Sequence, residues 1–337
     1  VDFKNLIFGA KQDPKDERDY QVNKLLTVPS KLASSVDWTD EMTPVKDQAN
    51  LGSCVAFAVC AVKEWQEKKE WKTEIGTKKN YDMSEQFLYY KCKEIDKWPD
   101  QEGTSFRYAM KVLSKNGVPV EIGWQYDPDY KGKPEKWAES VAQWYRCGSY
   151  WRITTLEEMK TLLALKGPQV AGILCFNEIF NPNKDAIITM PSKRRKSIGG
   201  HAICLVGYDD SASLLKFKNS WGTAYGENGY AYISYDYYKH YCLDAWYFAD
   251  TKIEEVDQLK KPTKKALKPK QKDIGSEGKI MKIKLINKLK QLQEVHILRN
   301  GRDTTVYIPA GHMITLKPEE ISEDIKMRIQ RKFLEKK

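Results

Sequence analysis

The order of periodicities along the chain predicts an α+β protein of two lobes with a cleft between them, followed by a small separate module. Three observations carry this prediction. Apolar residues recur at helical spacing up to about Arg146, short aromatic and β-branched runs divided by Gly, Asn and Asp follow, and beyond Asp250 the composition turns to Lys and Pro.

Residues 1–35 read as a polar, turn-rich extension containing "DPKDERDY" and "TVPSKLASS". Its first apolar patch is too short and too charged for a secretory leader. Residues 36–250 form the main domain. "GSCVAFAVCAVKEWQEKKEW" places Ala58, Val62 and Trp65 on one stripe and predicts a helix opening at a Gly-Ser-Cys turn. "SEQFLYYKCKEI" and "TSFRYAMKVLSKNG" predict two more, the second stopped by Asn116-Gly117. "QVAGILCF", "HAICLVGYDD", "LLKFKNSW" and "GYAYISYDYY" predict antiparallel strands. Residues 251–275 read as a linker. Residues 276–337 read as a docking-sized module: strands in "KIMKIKLI" and "QEVHILRNGRDTTVYI", a hairpin turn at Asn300-Gly301, and a closing helix with Ile321, Ile325, Ile329 and Phe333 on one stripe.

The formal net charge of +10 is unevenly placed. Thr251–Lys337 carries 22 Lys and Arg against 12 Asp and Glu, so the first 250 residues hold 34 of each sign. The basic tail fits a protein or anionic-surface partner, and no interleaving of aromatic and basic residues points to nucleic acid. No apolar run approaches the roughly 18 residues of a transmembrane helix. The seven cysteines are odd in number and include no CxxC pair, which argues against a secreted disulfide scaffold and a structural zinc site. Reduced thiols in a cytoplasmic setting are expected, with association with a virion or cell envelope the alternative.

One thiol stands apart. Cys54 opens the first predicted helix, where free N–H groups and the helix dipole favour a thiolate. A thiolate nucleophile needs a base, and the chain has four histidines. His296 and His312 fall in the C-terminal module, and His240 lies in an aromatic stretch that packs or faces solvent. His201 follows Gly199-Gly200 and opens a strand, so it is the best candidate. Asn219, at the end of the next strand, can hold its second ring nitrogen, with Trp221 covering that bond. Gln48, six residues before Cys54, can pair its side-chain amide with the Cys54 N–H as an oxyanion hole.

"VDWTDEMTPVKDQANLGSCVAF", "GGHAICLVGYDD" and "FKNSWGTAYGENGYAYIS" together resemble the papain-like cysteine proteases over about Val36 to Asp250. Cys54 and His201 are 147 residues apart, within the roughly 130–150 of that family. The resemblance implies a papain-like two-lobe fold, a helical lobe against an antiparallel β lobe. It implies a cysteine endopeptidase acting on peptides or proteins without a metal or other cofactor. By carry-over the catalytic set is Cys54 as nucleophile, His201 as base and acid, Asn219 as orienter and Gln48 as oxyanion donor. "DQEGTSFRYAM" matches the family's cleft glycine region, which implies that Gly103 bonds a substrate backbone, and Trp221 joins the substrate-binding set.

Departures from the family pattern are also visible. Leu51 and Val55 replace the usual cysteine three residues before the nucleophile and the tryptophan after it, so the usual disulfide there is absent. The large inhibitory propeptide is replaced by about 35 residues, which resemble the short extension of prokaryotic and viral relatives and either block the cleft or pack on a lobe. The loop from Asn177 to Gly200 carries the basic run Lys193–Lys196, read as a solvated face, with steering of acidic substrates or a processing site as the alternatives. The rival function is a docking or structural component of a larger assembly with weak or self-directed proteolysis, motivated by the basic linker and the C-terminal module.

Overall fold

The computed structural model describes residues 6–72, 82–129, 132–134 and 136–250, and five strands beyond them. The chain divides into two units, Val1–Lys252 and Ile253–Lys337. The first contains, in order, α1 (Val22–Leu25), β1 (Ser35–Asp37), α2 (Cys54–Lys72), α3 (Glu85–Ile95), α4 (Phe106–Lys115), α5 (Lys136–Ala142), β2 (Cys147–Arg152), α6 (Leu156–Lys166), β3 (Gln169–Cys175), β4 (Ile187–Ile188), β5 (Gly199–Asp209), β6 (Leu214–Lys218), β7 (Tyr230–Ser234), α7 (Tyr235–Tyr241) and β8 (Cys242–Asp250).

The helix α2 has no solvent face over its first three turns: every residue from Cys54 to Trp65 is buried. It packs against α3 and α4 on one side and β5 and β3 on the other, which is why apolar residues surround it rather than form one stripe. The two charges in that stretch are paired: Lys63 with Glu67 at 2.6 Å and with Asp250, and Glu64 with Lys46 at 2.7 Å. Ser84 caps α3 by accepting from Phe87 N at 3.1 Å. Gly117 stops α4 with φ 76°, and a Cβ there would lie 1.8 Å from the Ala142 carbonyl oxygen.

The sheet runs β2-β8-β3-β5-β6-β7-β4, with β1 on the far end of β5. Every pair is antiparallel except β4 with β7. Met159, Leu162, Ile173, Leu205, Phe217 and Tyr237 form its core under α6 and α7. This is the α+β arrangement expected from the sequence. The run "GYAYISYDYY" is only half a strand. Ser234 accepts from Tyr237 N at 3.0 Å and starts α7, so Tyr235 onward is helical.

In the second unit β10 (Gln293–Arg299) pairs antiparallel with β11 (Arg302–Ile308), and β9 (Ile283–Asn287) lies between β12 (Met313–Leu316) and β13 (Leu334–Lys336). The linker, the Asn300-Gly301 turn and most of the predicted closing helix lie outside the described residues. The end of that helix is corrected: Leu334–Lys336 is extended, because its backbone groups pair with Leu285–Asn287 of β9. No described helix is long and apolar enough to cross a membrane.

Candidate active site

Cys54 is the first residue of α2 and is fully buried. Ser53 fixes the turn before it. Its N–H donates to Leu51 O at 2.8 Å, its carbonyl accepts from Ala56 N and Phe57 N, and its hydroxyl meets Tyr126 Oη at 2.7 Å. Tyr126 donates onward to Gln48 O at 2.7 Å. Gly52 has no room for a side chain, since a Cβ would come within 2.8 Å of Gly103 N.

His201, on β5, donates from Nε2 to Asn219 Oδ1 at 2.7 Å, and that oxygen also accepts from Ser220 N. An amide oxygen can only accept, so the hydrogen bond selects the Nε2–H tautomer and leaves Nδ1 as the basic nitrogen. Among the described residues Nδ1 has no hydrogen-bond partner. The backbone N–H of the next residue, Ala202, reaches the Cys54 thiol, so the thiol and the imidazole-bearing residue are neighbours. Trp221 lies over the imidazole with ring centroids 4.5 Å apart. The segment carrying Asn219 is tied to the one carrying Gln48: Gln48 N donates to Ser220 O and Gly222 N to Lys46 O. Ser220 Oγ donates to Gln48 Oε1 at 2.7 Å, which turns the Gln48 NH2 toward Leu51 O and the cleft.

An N-terminal strap, residues 6–19, threads the cleft. Gly9 N–H points at the Cys54 thiol, Ile7 O lies 3.5 Å from Gln48 Nε2, and Phe8 packs edge-on against His201 and Trp221. On one wall Gly9 O accepts from Thr104 N and Lys11 N donates to Thr104 O, both at 2.9 Å. On the other, Ala10 N donates to Gly200 O at 2.9 Å. The fit needs glycines: a Cβ on Gly9 would lie 2.0 Å from Gly52 O, and one on Gly200 would lie 2.2 Å from Ala10 O.

Farther along, the strap is held by charge. Asp13 Oδ2 accepts from Arg107 N and Trp246 Nε1, and Asp13 N donates to Asp244 Oδ2 at 2.6 Å. Asp19 Oδ2 accepts from Arg107 Nη2 at 2.6 Å and from Arg152 Nε at 3.0 Å. Asp16 pairs with Arg107 at 3.2 Å, and Arg152 also pairs with Asp244.

Burial pushes the Cys54 thiol up to about 11, outweighing the N–H groups of Ala202 and Gly9 that favour the thiolate. Burial likewise pulls His201 down to about 4 against the Asn219 hydrogen bond. Both groups are therefore uncharged near neutral pH in the strapped state. Asp82, Glu85 and Glu121 bring three carboxylates together, but Lys46 is paired with Asp82 and Glu85 and already supplies the positive charge.

Cys54, His201, Asn219, Gln48 and Trp221 thus lie around one point. Gly103 lies beside them, yet its own N–H donates to Tyr89 Oη and its carbonyl accepts from Lys93 Nζ. Thr104, one residue on, makes the main-chain pairs across the cleft. His240 is exposed on α7, bonded through Nδ1 to Asp236 O. Lys193–Lys196 is an exposed turn, with Arg195 3.4 Å from Glu178. The sequence reading missed Tyr126, Ser220, Thr104 and the strap contacts of Phe8 and Gly9. The apolar "LIFGA" within a polar extension was the available signal for the last two.

The chain is similar to several known proteins. An uncharacterized peptidase C1-like protein of Acanthamoeba polyphaga mimivirus is 30% identical over 231 residues, 65% of this chain and 69% of that protein. Procathepsin L of Felis catus is 28% identical over 71% of each chain. The crystal structure of xylellain, a cysteine protease from Xylella fastidiosa, matches with TM-score 0.65 and 28% identity over 73% of this chain and 96% of that one. The family model for papain family cysteine protease matches residues 32–248. The chain belongs to the papain family of cysteine proteases and is a cysteine peptidase.

Proposed function

We propose that the chain is an endopeptidase in which Cys54 is the nucleophile, His201 the proton carrier, Asn219 the positioning residue and Gln48 an oxyanion donor, and that residues 6–19 keep it latent. The observation that carries this reading is the 2.7 Å bond from His201 Nε2 to Asn219 Oδ1, which leaves Nδ1 unpartnered in a ring that adjoins the thiol. Once the cleft is hydrated, the proton passes from Cys54 Sγ to His201 Nδ1. The thiolate attacks the peptide carbonyl carbon, and the oxyanion forms beside the Cys54 N–H and the Gln48 amide. Imidazolium then protonates the leaving amine, and the same nitrogen activates the water that hydrolyses the thioester.

The path of the strap favours internal cleavage. Its chain continues on both sides of Cys54, so the cleft accepts a polypeptide without a free end near the thiol. The strap presents an N–H to sulfur at Gly9 rather than a carbonyl carbon, which accounts for a bound segment that is not a substrate.

Mass spectrometry after treatment with a thiol-reactive peptide epoxide tests the reading on the full chain. The expected result is one adduct on Cys54, absent in Cys54→Ala, with His201→Ala lowering labelling and peptide turnover by about 10²–10⁴-fold. Adducts scattered over other cysteines, or turnover that survives Cys54→Ala, would overturn it.

A further inference from the structure

We infer that the strap's Asp13 marks a substrate pocket selective for an acidic side chain, with Arg107 and Arg152 as its specificity-determining residues. This inference rests on the peptidase reading above. The Asp13 side chain is completely enclosed, and its Oδ2 meets the Arg107 N–H at 3.1 Å, Trp246 Nε1 at 3.2 Å and Arg152 Nη2 at 3.9 Å. Two backbone or ring donors and a guanidinium around one carboxylate oxygen form a site for an anion.

The guanidiniums make the case stronger. Arg107 is 10% exposed, and its side-chain bonds go to Asp16, Asp19 and Pro14 O, all on the strap. Arg152 is 17% exposed, donates to Asp19 and stands 3.9 Å from Asp13 on the strap, with Asp244 its fixed partner. When the strap leaves, three carboxylates go with it. Two guanidiniums and one carboxylate remain, a net positive pocket whose Arg107 has lost its side-chain partners. Burying a Leu there leaves the donors unmatched and an Asn supplies an acceptor oxygen but no charge for the guanidiniums, whereas Asp or Glu supplies both. A cavity of about 920 Å³ alongside, lined in part by Asp16, Asp19, Arg152, Thr155 and Asp244, gives room for the longer acid.

The pocket is also at a useful distance. Asp244 pairs with Gly172, and Gly172 pairs with Ala202, whose N–H touches the thiol. Two strand spacings of about 4.8 Å put the pocket roughly 10 Å from Cys54. At about 3.3 Å per residue that is about three residues, and the strap spans it with four, from Gly9 at the thiol to Asp13, so a substrate residue three or four positions from the scissile bond reaches it.

The test uses the full chain with the strap released by Gly9→Val, Asp13→Asn and Asp19→Asn. It is assayed on internally quenched peptides carrying Asp, Glu, Asn, Leu or Arg at each of four positions on either side of the cleavage point. Asp or Glu at one position should raise kcat/KM at least about tenfold over Asn. Arg107→Gln should remove that preference through KM, and Arg107→Lys should restore part of it. Equal rates for Asp and Asn, or selection of Leu or Arg, overturn the inference. A second measurement is independent of turnover: hydrogen exchange of residues 6–19 in the otherwise unaltered chain. Asp13→Asn should speed it about tenfold and Asp13→Glu should not, whereas equal protection overturns the pocket. A chain without turnover or a Cys54 adduct overturns the peptidase reading instead, and the exchange result still decides the pocket.

Discussion

The strap touches the body of the protein at two ends with opposite electrostatics. At the Cys54 end it brings a phenyl ring, a glycine and backbone groups, and no charge. Cys54 and His201 lose water without gaining an ionic partner, so burial drives both toward their neutral forms. At the other end the strap brings Asp13, Asp16 and Asp19 to Arg107 and Arg152, where Asp16 and Asp19 meet the guanidiniums in ion-pair geometry and burial raises the Asp13 carboxyl. The cover thus leaves one pair neutral and ties the other into ion pairs. What separates them is whether the covering segment carries a counter-charge. Because those counter-charges sit on a strap, losing them uncovers both sites together.

The largest break in this comparison comes at the uncharged end. Gly9→Val places a Cβ against Gly52 O, a backbone atom that cannot swing aside. Overpacking of about 1–3 kcal/mol corresponds to roughly 5–150-fold more open cleft. Epoxide labelling of Cys54 should accelerate by that factor while the melting temperature of the main unit changes little. Unchanged labelling would mean that the strap does not govern access to the thiol.

The charged end should give a smaller effect. Asp19→Asn weakens bonds to both guanidiniums at once. A charge-assisted hydrogen bond is worth about 1.5–3 kcal/mol, but Asp13 and Asp16 remain and both arginines are partly wet, so opening of about tenfold is expected. Hydrogen exchange of residues 6–19 reads it directly. Additivity with Gly9→Val would show two independent holds; full release by either alone would show one cooperative unit.

Much of this was legible in the sequence and some was not, for physical reasons. Cys54, His201, Asn219 and Gln48 could be picked out because thiol chemistry restricts the residue types to be sought, and the structure brings them together. The helices α2, α3 and α4 followed from periodicity and from Asn116-Gly117. The strands β2 and β8 did not, since their alternation is blurred by aromatic residues packed on both faces, such as Trp151 on Tyr247 and Tyr150 on Trp246. Tyr235 looked extended by propensity, yet the cap from Ser234 made it helical. Gly199 and Gly200, just before His201, leave room for Phe8 and Ala10, nearly 200 residues away in sequence, and no local pattern encodes that contact.

The smallest effect expected is on pH, because the two ends pull in opposite directions. His201, facing Asn219, Trp221 and Phe8, has its pKa lowered from 6.5 to about 4 in the strapped state. A solvated His201 binds a proton over that window and the strapped one does not, so falling pH favours release between about 6.5 and 4. Asp244, facing Asp13 and Arg152, is raised from 3.8 to about 6 by burial, and Asp13 is raised as well. A raised carboxyl stabilises the strapped state at low pH and loses that contribution as pH climbs through about 6, so falling pH favours closure over nearly the same window. Asp16 is held low chiefly by Arg18, a partner that travels with the strap, and so adds little. Hydrogen exchange of residues 6–19, corrected for its intrinsic pH dependence, should therefore change by less than about threefold between pH 7 and pH 4.5. Asp244→Asn removes one side of the balance, and the strap should then open several-fold more at pH 4.5 than at pH 7. A steep profile in the unaltered chain, or a flat one in Asp244→Asn, would show that the two ends do not oppose each other and that one of them alone sets the latency.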